Sequence, residues 1–257
     1  MGTNRIAHDV TEDAVLNGRL RLRQPARGHR VGHDAILLAA AVPARAGDAV
    51  VELGAGVGAA GLALAVRVAG IKLTLLELAP QLAALAAENA RLNGLSAQVA
   101  TLDVTSPPRA FAADGLRPEQ AARVMMNPPF NDPIRQRASP DRGRRLAHAA
   151  PRATLVAWTK TAARLLRPRG TLSLIWRADG LDDVLEALKP AFGATTVLPI
   201  YAKPGEGAIR VLVRATKASR APLQLLPGLV LHDAAGRPTT AADAILRAGE
   251  ALPLAQI

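Results

Sequence analysis

Asn127-Pro128-Pro129-Phe130 is the segment whose residue types most restrict the chemistry available to this chain. Two consecutive prolines neither continue a central strand nor enter a helix interior, so they make a rigid shelf. On that shelf the Asn127 side-chain oxygen and the Pro128 carbonyl can both accept from one amino group. Phe130 offers a ring face for a planar base or amide, and it is one of three Phe in a chain that is 2% aromatic. An amine conjugated to an adenine ring or a carbonyl is a poor nucleophile, because its lone pair is delocalised. Accepting both of its N–H bonds favours the geometry in which the lone pair faces an electrophile. Stacking holds the plane and proximity supplies the rest, with no general base needed beforehand. The plainer account is a proline-stiffened loop with a core Phe.

A second group lies upstream. In Glu52-Leu53-Gly54-Ala55-Gly56-Val57-Gly58, glycines let the chain turn sharply and bring backbone N–H groups close to a ligand. Glu77 follows Gly58 by 19 residues, the place for a carboxylate that accepts both hydroxyls of a ribose. Asp103 can accept from an adenine amino group. Taken singly, these are also a tight turn, a solvated Glu and an Asp capping a turn. Together they predict a nucleoside-containing cofactor. Gly54-x-Gly56-x-x-Ala59 fits a dinucleotide loop as well.

Strands and helices must alternate to place these residues. Apolar runs predict strands over 49–53, 72–78, 97–102, 123–126, 171–176, 195–201 and 208–215, the last two as an antiparallel hairpin. Helices are expected over 59–69, 81–92, 153–166 and 181–191, with a looser stretch at 105–121. Ahead of them, Asn17-Gly18 predicts a type I′ hairpin with Leu16, Leu20 and Leu22 on its apolar side. A helix from 34 to 41 follows, with Asp34 as N-cap. A proline-containing tail from 217 carries a short helix over 241–247. The pattern predicts an α/β, Rossmann-like domain with a mixed seven-stranded sheet, an N-terminal β-hairpin and a C-terminal extension. The division is 1–46, 47–216 and 217–257, the extension packing on the domain. Each chemical motif falls at a strand's carboxyl end, where such sheets bind ligands.

The charge is uneven. The 257 residues carry a net +11, with 32 basic against 21 acidic side chains. Arg19, Arg21, Arg23, Arg27 and Arg30 contribute +5 with no acid between 19 and 33. Arg135, Arg137, Arg142, Arg144, Arg145 and Arg152 contribute another +5 after subtraction of Asp141. These read either as two solvated basic loops or as two walls of one anion-binding surface. Cysteine is absent, which excludes disulfides, thiolate catalysis and zinc fingers. The five His have no carboxylate at ligand spacing, so no metal site is expected. Neither a signal peptide nor a membrane span is visible, and a cytoplasmic location is the expectation.

These motifs resemble those of the class I S-adenosylmethionine-dependent methyltransferases, over about residues 47–215. The glycine loop looks like their first motif, with Glu52, Gly54, Gly56 and Gly58, and Glu77 and Asp103 look like their cofactor-binding acids. Asn127-Pro128-Pro129-Phe130 looks like their amino-methylating motif, with Asn127, Pro128 and Phe130 catalytic and Asn127 also beside the cofactor. Gly18-Arg19-Leu20 and the run from Gln24 to Ala35 are similar to the bacterial family that methylates N6 of adenine 37 in valine tRNA. Residues 169–177 and 209–214 also fit that family, although His29 stands where it has Tyr and Glu52 where Asp is commoner. The resemblance implies S-adenosylmethionine as cofactor and RNA, above all tRNA, as partner, gripped by Arg27, Arg30, Arg135, Arg137, Arg142, Arg144 and Arg145. Three other readings stay open: N5-methylation of a protein glutamine, a nicotinamide-dependent oxidoreductase that leaves 127–130 unexplained, and a non-catalytic RNA-binding module.

Overall fold

A computed structural model describes residues 10–27, 31–129 and 140–256, of which 140–151 by backbone alone. Apolar residues alternate along the central strands, and this builds the molecule as three layers. In β3 (Ala49–Leu53), Val50 faces one core while Val51 and Leu53 face the other. In β6 (Ala121–Met126), Met125 faces the first core, and Val124 and Met126 the second. Both sheet faces must therefore be covered. The first face carries α1 (His33–Ala41), α2 (Ala59–Arg67) and α3 (Pro80–Leu92); the second carries α4 (Pro108–Ala113), α5 (Pro140–Leu165) and α6 (Leu181–Leu188).

With β4 (Lys72–Glu77), β5 (Ala97–Thr101), β7 (Leu166–Arg177), β8 (Phe192–Tyr201) and β9 (Ala208–Lys217), the sheet runs β8-β9-β7-β6-β3-β4-β5. The five strands from β7 to β5 pair parallel, and β9 pairs antiparallel with both β7 and β8. These are the seven expected strands. Two more are added: β10 (Gln224–Leu225) and β11 (Leu229–Val230), from the extension, pair parallel with β8 and bring the sheet to nine. Two-residue strands carry too little periodicity to be read from sequence. The extension then forms α7 (Thr240–Leu246), whose N-cap Thr239 accepts from Ala242 N–H at 3.1 Å. Its Ile245, Leu252 and Leu254 enter the same core as α1.

The N-terminal hairpin pairs β1 (Val10–Val15) with β2 (Leu20–Pro25). Its loop is not the two-residue type I′ turn expected from Asn17-Gly18. Val15 faces Leu20, so four residues turn, with Leu16, Asn17 and Gly18 at φ 54°, 53° and 81°. The longer loop lets Leu16 join Leu20 and Leu22 in the core. Three further expectations are corrected. Asp34 does not cap α1: the cap is Gly32, and Asp34 pairs with Arg210 on β9 at 3.0 Å. The strand expected over 171–176 starts already at Leu166, with an irregularity in its pairing with β6 and Arg169 at φ 65°. The helix expected over 153–166 starts at Pro140, so the second Arg-rich segment is helical from there; Ala, Arg and Leu are strong helix formers.

The hairpin is held to the domain by two asparagines one turn apart on α3. Asn89, fully buried, accepts from Arg23 N–H (2.7 Å) and donates to Arg23 C=O (2.9 Å) and to Val57 C=O in the glycine loop (3.0 Å). Asn93 makes the same pair of bonds to Arg21, at 2.8 and 2.7 Å. Their amides stand in for a neighbouring strand along β2. Among the described residues, no helix is long and apolar enough to cross a membrane.

Candidate active site

The strand order reverses between β3 and β6, and the carboxyl ends at such a switch point are where these sheets bind ligands. Leu53 and Met126 are register partners, which puts Gly54 and Asn127, the next residue of each strand, side by side. Glu77 ends the neighbouring β4, and Asp103 follows β5. The sequence motifs from four strands thus converge on one edge of the sheet.

The glycine loop is shaped by its neighbours. Gly54 has φ 68°, and a Cβ there would lie 2.3 Å from Cη2 of Trp158. Gly56 has φ 57° and open space where a Cβ would stand. Its N–H donates to Glu77 Oε2 at 2.7 Å, while Glu77 Oε1 accepts from Ala79 N–H at 2.8 Å. Glu77 therefore straps the loop to β4, and each of its oxygens keeps a second lone pair for a ligand hydroxyl. Asp103 does cap its turn: Oδ1 accepts from Thr105 N–H (2.7 Å) and Oγ1 (2.8 Å), bonds that leave Oδ2 unused.

Glu52 lies behind the loop. It is buried on the α2 side, where Oε2 accepts from Gly61 N–H at 2.8 Å. Burial pushes its carboxyl up to about 8, the charge of Glu77 adds to the rise, and the Gly61 hydrogen bond offsets part of it. The one bond described for its side chain supports helix α2 beneath the loop.

Pro128 is buried and Pro129 exposed, so the shelf shows one proline to solvent. Asn127 Oδ1 is buried without a hydrogen-bond partner among the described residues. Buried polar atoms are almost always paired, and an orphan costs roughly 1–3 kcal/mol, so this oxygen is an acceptor waiting for a donor. Phe130 lies outside the described residues.

Of the arginines, Arg27 is exposed on the chain leaving β2. Arg30, Arg135 and Arg137 lie outside the described residues. Arg142, Arg144 and Arg145 lie on the α5 backbone. The first basic segment is less positive than its own residues suggest, because Glu12 on the facing strand binds Arg21 at 2.8 Å and Arg23 at 3.3 Å. Those two partners, Arg21 first, hold the Glu12 carboxyl below its usual range. Arg152 pairs with Asp183 at 3.5 Å.

Trp158 is the site residue that motif spacing does not reveal, since it comes from α5 and meets Gly54 only in three dimensions. Thr161, one turn on, donates to Val104 C=O at 2.8 Å, beside Asp103. Helix α5 thus braces both the glycine loop and the loop after β5.

The residues present suit S-adenosylmethionine. Glu77 and Asp103 Oδ2 can accept from ribose hydroxyls and an adenine amine, and Gly56 leaves open space for close approach.

Comparison with known proteins agrees. The family model described as the methyltransferase small domain matches residues 29–203. A solved structure described as a predicted O-methyltransferase, protein Atu636 from Agrobacterium tumefaciens, is 30% identical; the match covers 85% of this chain and 98% of that one, with TM-score 0.72. An S-adenosylmethionine-dependent O-methyltransferase from Thermotoga maritima shares the fold at 18% identity, 76% and 69% coverage and TM-score 0.52. TrmN from Thermus thermophilus shares it at 22% identity and TM-score 0.52, over 71% of this chain and 47% of that one. No curated protein sequence matches. The chain belongs to the methyltransferase small-domain family, whose class I fold it has and whose methyl donor is S-adenosylmethionine.

Proposed function

We propose that the protein methylates the N6 amino group of an adenine in RNA, with tRNA the foremost substrate. The observation that carries the reading is Asn127 Oδ1, buried beside Gly54 at the switch point with no hydrogen-bond partner among the described residues. An exocyclic amine supplies the missing donor. Its second N–H goes to the Pro128 carbonyl, which aims the nitrogen lone pair out of the ring plane. Phe130 stacks on the base, and Gly54, Gly56, Gly58, Glu77 and Asp103 hold the cofactor, with Glu52 supporting the loop from behind. When bound, S-adenosylmethionine supplies a methyl carbon attached to a sulfonium leaving group. Asn127 and Pro128 hold the amine in line with that carbon, so orientation replaces base catalysis. The amine proton is lost only after nitrogen has gained its fourth bond. Arg27, Arg30, Arg135, Arg137, Arg142, Arg144 and Arg145 grip RNA phosphates.

Asn127→Ala tests this assignment. Turnover is expected to fall by about 10²-fold or more, while calorimetric affinity for S-adenosylmethionine changes little. Turnover close to wild type would remove Asn127 from the reaction.

The capture of Arg21 and Arg23 by Glu12 favours a second reading, a protein glutamine amide as acceptor, because it lowers the charge available for a polyanion. The same oxygen pair can hold an amide nitrogen.

A further inference from the structure

Leu155, Thr159, Ala162 and Leu165 form the buried stripe of α5, between 0% and 2% exposed. Trp158 lies on that stripe, three residues from Leu155 and four from Ala162, yet it stays partly exposed. Its position beyond the strand ends explains this. Helix α5 packs on β6 and β7, and Trp158 reaches Gly54 after β3, so the ring extends across the carboxyl end of β6. Because Leu53 pairs with Met126, the Gly54 that Trp158 approaches is the register neighbour of Asn127. A Cβ at Gly54 would stand nearest Cη2, Cζ3 and Cζ2 of the six-membered ring.

We propose that Trp158 is a positioning residue of the methyl-transfer site, whose partly exposed indole takes the cationic sulfonium end of the bound donor. The inference rests on the family's cofactor and on Asn127 marking where the acceptor sits. An indole face attracts a cation lying within about 6 Å of its ring. A wall of that kind favours the charged donor over the neutral thioether left after transfer, and so aids exchange of spent cofactor. Gly54 is the fitting partner, because any side chain there would displace the ring.

The test compares two probes by calorimetry, S-adenosylmethionine and S-adenosylhomocysteine, which differ in that charge. Trp158→Leu is expected to weaken the charged ligand by about tenfold and the neutral one by much less, with Trp158→Phe keeping most of the difference. Equal losses for both ligands, or no loss, would overturn the proposal. Should Trp158→Leu not fold, Trp176→Phe leaves Trp158 as the sole tryptophan. Its emission is then expected to change on S-adenosylmethionine binding, and binding seen by calorimetry with unchanged emission would overturn the proposal. None of these readouts uses an acceptor, so they separate this inference from the adenine assignment, which stands or falls on turnover.

Discussion

Glu52 is the most consequential buried charge near the site. Its carboxyl ionises near 4.5 when unfolded and near 8 when folded, so the fold favours the protonated form. Its stabilising contribution is complete below 4.5 and is lost as pH rises through about 8. Glu52→Gln mimics the protonated form. The variant's melting temperature is expected to match wild type near pH 5 and to exceed it by several degrees near pH 8.5, since about 1 kcal/mol moves a domain of this size by roughly 2–4 °C. A constant difference across that range would contradict the account. At this scale, residue type and spacing single out Glu77, Asp103 and Asn127 as candidate acceptors, and the structure places all three at strand ends on one edge of the sheet. Type and spacing do not reveal which oxygens the backbone already occupies, nor that Asn127 Oδ1 is buried without a partner among the described residues. Those facts depend on loop geometry, which sequence periodicity does not encode.

Among the elements, the parallel strands and their helices were legible because each is a short apolar run bounded by Gly or Pro. The joints between elements were not. Asn89 and Asn93 look like ordinary helix-end polar residues in sequence, yet their amides dock a whole hairpin. Asn89→Ala removes three hydrogen bonds and leaves Val57 C=O in the glycine loop without this partner. A loss of about 2–4 kcal/mol in unfolding free energy is expected by denaturant titration. A change under about 0.5 kcal/mol would mean that the hairpin docks by its leucines alone. Helix α5, expected over 153–166, continues back to Pro140 and so carries part of the second Arg-rich segment.

For the molecule as a whole, the net charge of +11 is partly answered from inside the fold. Glu12 takes two of the first segment's arginines and Asp183 takes Arg152, both across distances in sequence that a charge count misses. The remaining candidates for phosphate contact include Arg142, Arg144 and Arg145. Changing all three to Gln is expected to raise the KM for RNA more than it lowers kcat. The log–log slope of RNA affinity against salt should also fall by about one unit per lost phosphate contact. An unchanged slope would return that segment to ordinary solvated surface.

The central claim concerns the atom that receives the methyl group. Incubating the protein with isotope-labelled S-adenosylmethionine and tRNA lacking this modification, then digesting to nucleosides, identifies that atom directly. The account predicts label in N6-methyladenosine, and none when Asn127 is Ala. Label on a ribose oxygen or another base atom, or label in protein glutamine when extract replaces the RNA, would contradict it.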